Sequence, residues 1–354
     1  MRRVSGRLPG ILRPMRLAVL GVLLVLILAA CSGSAGEQGP PGETGPAGAA
    51  GPAGPAGPAG ESASMADLTC VGCHDDSTII TGKQASWGES LHGTGEAFAR
   101  GTSADCAGCH SGGAFTEMIA AGLSPNAVEA GDPNPTRQDC KACHLIHTTY
   151  TGEDWGLAST APVALYAFEG STFDGGEGNL CATCHQPRRP IDEAVDGMIE
   201  VTSTHWGPHH GPQSAMLLGL AGAGDVAGSA GAHASVEGTC VTCHLGGAMS
   251  HTFEAKIESC QACHSGAESF DINGVQTEVQ ALLDELGAQL IAKGMLTEEG
   301  EPVVGSYPEA DAGALWNWIY VALEDKSLGV HNPGYVEALL TASLDALAGG
   351  GAAG

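Results

Sequence analysis

The sequence predicts a mainly α and coil fold with little β, organised around something other than its own side chains. Three observations point there. Between Met65 and Phe270 the chain is rich in Cys and His, with Gly, Asp and Pro turns separating short segments, and neither strand alternation nor a long helical period persists. After Asp271 the pattern changes to amphipathic helix. Phe, Trp and Tyr together make up only 5% of the 354 residues, against 54 Gly and 19 Pro, so a core of ordinary aromatic content is not expected.

Residues 1–30 read as an export signal. Arg2, Arg3, Arg7, Arg13 and Arg16 form a basic start, and Leu17 to Ala30 is apolar but short for a membrane span. The segment ends in Leu28-Ala29-Ala30-Cys31, which resembles a bacterial lipobox. That resemblance implies cleavage before Cys31, acylation of its thiol, and an exported lipoprotein at the outer membrane or cell surface. A plain secretory signal with an incidental Cys is the alternative. Several acyl chains anchor stably where one does not.

Cleavage would leave nine basic side chains against 40 acidic ones, a net charge of −31 with His neutral. So acidic a surface repels phosphate backbones, and nucleic acid is not expected as a partner.

Residues 31–64 carry glycine at every third position from Gly33 to Gly60, with Gly51-Pro52-Ala53 repeated at Gly54 and Gly57. Strict Gly-X-Y resembles collagen, where only Gly fits the crowded axis, and would imply a homotrimer. An extended single-chain spacer is the other reading. Either rises about 3 Å per residue and forms a stalk of roughly 80–90 Å.

Residues 65–270 hold the chemistry. Cys-x-x-Cys-His occurs six times: Cys70/Cys73/His74, Cys106/Cys109/His110, Cys140/Cys143/His144, Cys181/Cys184/His185, Cys240/Cys243/His244 and Cys260/Cys263/His264. Two thiols three apart can add to the two vinyl groups of one porphyrin, and the adjacent His becomes an iron ligand. This is the c-type haem attachment pattern. Tetrahedral zinc sites or disulfides would use the Cys pairs but give no reason for His after every second Cys. Six covalent haems c are therefore expected, roughly one per 34 residues, so that the porphyrins supply much of the interior. The fold class becomes a multihaem cytochrome c fold wrapped around a haem chain.

Residues 271–348 are expected to close it as a helical subdomain. Val275, Val279, Leu282, Leu283, Leu286, Leu290 and Ile291 fall at helical spacing, ending near Gly294. A second helix fits Pro308 to Asp325, with Leu315, Ile319 and Leu323 on one face. A third opens at Asn332-Pro333, as N-cap and N1. Residues 349–354 are expected to be a disordered tail.

Whether such a chain conducts or catalyses depends on the sixth position of each iron. Eight His lie outside the motifs: His92, His147, His205, His209, His210, His233, His251 and His331. Full bis-histidine ligation needs six of them. His147 is three residues after His144 and expected to point near, but not into, the same haem. Arg188 and Arg189 are candidates for propionate pairing, or else a solvated basic pair. No catalytic residue stands out.

Trp87-Gly88-Glu89-Ser90-Leu91-His92, the run from His205 through Trp206-Gly207-Pro208-His209-His210-Gly211-Pro212 to Gln213, His251-Thr252-Phe253, and the run Glu324 to Pro333 resemble segments of bacterial multihaem cytochromes. That class takes in pentahaem nitrite reductase relatives and hexa- to decahaem extracellular respiratory cytochromes, and the likeness covers roughly residues 65 to 346. It implies distal roles for His92, His251 and His331, and for one or two of His205, His209 and His210. The lipobox with Gly-X-Y repeats resembles surface decahaem lipoproteins, from which this chain departs in having six motifs. No Cys-x-x-Cys-Lys occurs, a departure from the nitrite reductases.

The resemblance implies electron transfer from a membrane or periplasmic donor to an external acceptor or another cytochrome. A multihaem oxidoreductase acting on a small nitrogen or sulfur compound through one open haem, approached by Tyr320 or Tyr335, and a haem-lined filament subunit are the alternatives.

Overall fold

A computed structural model describes residues 78–209 and 211–349. The export signal, Cys31, the Gly-X-Y stalk, the first motif (Cys70, Cys73, His74), His210 and the tail after Gly349 lie outside the described residues. The chain is mainly helical with little strand, as the sequence predicts. No described helix is long and apolar enough to cross a membrane.

Helix α1 (Thr78–Glu89) leads into the short α2 (Leu91–Thr94). The motifs then sit on or at the end of brief helices: α3 (Ala104–His110), followed by α4 (Gly112–Ala120), then α5 (Cys140–Cys143), α6 (Asn179–Cys184), α8 (Cys240–His244) and α9 (Ile257–Gln261), with α7 (Gln213–Leu218) between α6 and α8. Single helical turns follow from the motif itself. An i, i+3 spacing sets both thiols on one face, and the His at i+4 lies beside the first of them. The backbone closes accordingly, with His144, His185 and His264 N–H groups donating to the carbonyls of Cys140, Cys181 and Cys260 at 2.8, 2.9 and 2.8 Å. The last motif is the least regular. Helix α9 ends at Gln261, so Cys263 falls in the turn beyond it, where its N–H donates to the Cys260 carbonyl at 3.1 Å.

Among the described residues, strand is confined to two small antiparallel pairs. Strands β1 (Val163–Ala164) and β2 (Thr172–Phe173) form one; β3 (Met198–Val201) and β4 (Gly305–Pro308) form the other, with Ile199 opposite Tyr307. The second pair ties the Cys-rich region to the C-terminal helices.

Those helices are long. Helix α10 spans Val275–Ala292, α11 spans Glu309–Ile319 and runs on through a π-helical turn at Tyr320–Asp325, and α12 spans Pro333–Gly349. Gly294 adopts φ +70° just after α10, the left-handed backbone that lets the chain turn away. Leu286, Leu290, Leu315, Trp316, Leu339 and Leu340 are fully buried, and they share one core with Leu165, Phe173, Trp206 and Met216. Trp206 meets Trp316 edge-to-face at 5.0 Å, and the Trp316 Nε1–H donates to the Ala221 carbonyl at 2.7 Å. A smaller cluster, Phe115, Met118, Ala142 and Leu180, lies among the motif helices.

Asn332 stands just before α12, as expected, and its backbone carbonyl accepts from the Val336 N–H at 3.0 Å. Its Nδ2 donates to the Met216 and Ser229 carbonyls at 3.1 and 2.9 Å, so it clamps the loop after α7 to the start of α12. Tyr320 and Tyr335 are core residues: Tyr320 donates to the Leu220 carbonyl, and the Tyr335 hydroxyl accepts from the Gly222 N–H.

Candidate functional site

None of the ten described motif cysteines forms a disulfide. Motif thiols also meet across motifs. Cys109 and Cys184 adjoin, which lowers the pKa of Cys109 and raises that of Cys184. Cys240 and Cys181 likewise adjoin, with the pKa lowered at Cys240 and raised at Cys181. The Cys181/Cys184 motif therefore adjoins two others.

The thiols are not equally enclosed. Cys106, Cys109, Cys143, Cys181, Cys184, Cys240, Cys243 and Cys260 are at least partly covered by protein, whereas Cys140 and Cys263 are exposed. For Cys263 the reason is local: it lies in the turn past α9, a helix with no buried residue, so no packed face shields it. Cys140 opens the four-residue α5, whose only buried residue is Ala142.

Each described motif histidine faces a histidine from outside the motifs. His185 faces His92 with ring centroids 6.2 Å apart, His110 faces His209 at 6.2 Å, and His144 faces His251 at 6.2 Å. His264 faces His233 at 6.3 Å, and His244 faces His331 at 6.4 Å. Two imidazoles bonded to one first-row metal at about 2 Å each, with ring centres roughly 1 Å behind each nitrogen, stand about 6 Å apart. The spacing is too wide for ring stacking and fits an axial pair. Among the described residues no group of three or more His, Cys, Asp or Glu converges as a tetrahedral zinc site would require.

What lies behind the rings fits the same chemistry. A ligating imidazole commonly donates its second N–H, which fixes ring orientation and leaves Nε2 to the metal. His144, His244, His251 and His233 donate through Nδ1 to the carbonyls of Trp155, Phe253, Met249 and Val330. His185 donates to Gln213 Oε1 at 3.0 Å, and His331 to Asp325 Oδ1 at 2.7 Å. Burial, reinforced by His185, pushes the His92 pKa down to about 4. Burial also lowers His185, His244 and His251 against the hydrogen bonds that raise them. Neutral imidazole is the ligating form. At His331 burial lowers the pKa, and the charge and hydrogen bond of Asp325 outweigh it, so it rises.

Local structure explains how the non-motif histidines reach their positions. Ser90 caps α2: its Oγ accepts from the Gly93 N–H at 3.1 Å and donates to the Trp87 carbonyl at 2.7 Å, which fixes the turn bearing His92. His209 sits at φ +82° between Gly207 and Gly211, and a Cβ at Gly207 would lie 2.8 Å from Ile319 Cγ2. The close packing of this turn requires glycine there. Phe253, at φ +58°, packs its ring edge-on against both His92 and His251 while its carbonyl holds His244. One residue thus braces three sites.

The remaining candidates lie elsewhere. His147 stacks on Tyr150 at 5.4 Å with its N–H on Asp154, and His205 is exposed. Arg189 pairs with Asp192 at 3.3 Å and donates to the Gly207 carbonyl; Arg188 lies 4.0 Å from Asp105. Sequence reasoning passed over Gln213, Asp325 and Phe253 as supports, although all three stand in the segments that carry the resemblance.

No family model matches the chain, and no curated protein matches it. Among solved structures it is similar to an outer cell wall cytochrome, OcwA, at 22% sequence identity and a TM-score of 0.49, over 75% of this chain and 50% of that one. The chain thus spans about half the length of that protein.

Proposed function

We propose that the chain is an exported multihaem c-type cytochrome that relays electrons through six covalently attached haems, from a membrane or periplasmic donor to an external acceptor or another cytochrome. The observation that carries this reading is the set of five imidazole pairs, each joining a Cys-x-x-Cys-His histidine to a histidine from outside the motifs at 6.2–6.4 Å. The motif thiols would hold the porphyrin, and the motif histidine and its paired histidine would both ligate the iron. Bound in this way, haem supplies a one-electron Fe(III)/Fe(II) couple. The protein contributes rigidity. Backbone carbonyls and the Gln213 and Asp325 side chains hold six of the ten paired rings, so a change of charge would need little movement, and two imidazoles on one iron would leave no vacant position for a substrate.

The apolar leader and Cys31 supply the anchor in this proposal, and the Gly-X-Y stalk holds the haem domain away from the lipid. Intact mass of the mature protein should exceed polypeptide plus lipid by six haems, and oxidised EPR should show low-spin iron. Cys31→Ser should release the loaded protein from membranes. A mass without haem sinks the reading; a variant that stays membrane-bound sinks the anchor alone.

A further inference from the structure

The five imidazole pairs differ most in what lies behind them. Five ring nitrogens donate to neutral acceptors: the carbonyls of Trp155, Phe253, Met249 and Val330, and the Gln213 amide oxygen. His331 instead donates to a carboxylate, with Nδ1 2.7 Å from Asp325 Oδ1. The Asp325 side chain is fully buried. Its second oxygen accepts from both the N–H and the hydroxyl of Ser327, and the His331 N–H donates to that same hydroxyl. Carboxylate, serine and histidine form a closed loop, so the acceptor cannot swing away.

A carboxylate acceptor draws the Nδ1 proton toward itself and raises the electron density at Nε2. A more basic ligand stabilises ferric over ferrous iron. A fixed negative charge in a buried setting acts in the same direction. Resting on the haem reading above, we infer that Asp325 is a tuning residue that holds the haem of the His244/His331 pair at a lower potential than those of the His144/His251, His185/His92 and His264/His233 pairs. Cys240 of that site touches Cys181, and the Val330 carbonyl beside His331 holds His233 of the next site. The low-potential step therefore stands between two neighbours, where electrons cross without resting.

The test is a redox titration of the loaded, full-length protein followed by visible and EPR spectroscopy, on the unmutated chain and on Asp325→Asn. Asn keeps the shape and a neutral acceptor while removing the charge. One of the three couples that are reduced last should shift upward, one low-spin signal should change, and the other couples should stay in place. His331→Met should alter that same signal. If no couple moves, or if the couple that moves is one of the three highest, the inference is overturned while the haem count stands.

The unmutated protein provides a second check should the variant fail to mature. The His244/His331 and His144/His251 planes lie at 37° and 32°, whereas the other three pairs lie at 74–79°. Near-parallel imidazoles split the iron d orbitals and give rhombic EPR signals; near-perpendicular ones leave them close to degenerate and give a single large g value. At least one of the last three signals to vanish on reduction must be rhombic. If all three belong to the large-g class, the assignment is wrong. A protein without covalent haem would instead overturn the proposed function itself.

Discussion

Two regions of this chain solve the problem of folding differently. The C-terminal helices α10 and α12 run 18 and 17 residues, and with α11 they bury Leu286, Leu290, Leu315, Trp316 and Leu339 completely. The motif-bearing helices α3, α5, α6, α8 and α9 run only four to seven residues. Isolated helices below about 12–15 residues are marginal in water, and the apolar cluster among them is four residues. The first region is held by side chains. The second is arranged around pairs of histidines and rows of thiols, with the interior left to the group those residues bind.

Depriving the chain of haem should have the largest effect. Expressed without covalent haem attachment, the chain should exchange its amide hydrogens rapidly in the motif helices α3, α5, α8 and α9 and keep protection in α10, α11 and α12. Hydrogen-exchange mass spectrometry separates the two regions directly. Equal protection of both would break the contrast, because it would mean that the short helices stand without the cofactor.

A single ligand should have a smaller, sharply local effect. His331 belongs to the side-chain-held region and faces His244 in the other, so it is where the two meet. His331→Ala should convert one haem to high spin, seen by EPR, and leave the remaining signals and the C-terminal core intact. His331→Met should keep that haem low-spin and raise its potential, because Met ligation favours the ferrous state. If His331→Ala alters no haem, the meeting point lies elsewhere.

The same contrast decides what could be read from sequence. Helices α10, α11 and α12 were legible because their apolar residues repeat at 3.6, and that period reports the face that packs. The π-helical turn at Tyr320–Asp325 was not, since an inserted residue in a helical ladder leaves no mark on the pattern. The motifs were legible because their chemistry is local: Cys, Cys and His fit within one turn. How well each thiol is covered was not, because the exposure of Cys263 depends on where α9 stops and on what fails to pack over it. Ring pairings were hidden too. His92 meets His185 and His144 meets His251 across long stretches of chain, and no spacing rule links such residues. The Asp325 contact was hidden for another reason, since an Asp before Lys326 and Ser327 looks like any solvated turn until burial is known.

The smallest effect should come from Ser90. It is nearly fully buried in an otherwise exposed stretch, and it serves as the N-cap of a four-residue helix whose second residue is His92. Removing an N-cap hydroxyl costs about 0.5–2 kcal/mol, typically about 1. In the C-terminal region such a loss would be spread over a large core. Here α2 has no buried residue of its own to absorb it, so the loss should fall on the orientation of His92. Ser90→Ala should therefore leave global unfolding within about 1 kcal/mol of the parent, while the EPR signal of the His92/His185 site alone broadens. Ser90→Thr, which keeps the acceptor, should restore the sharp line. Broadening at several sites would instead mean that Ser90 supports the whole segment. An unchanged spectrum would mean that Phe253, packed against the His92 ring at 4.8 Å, suffices to hold it.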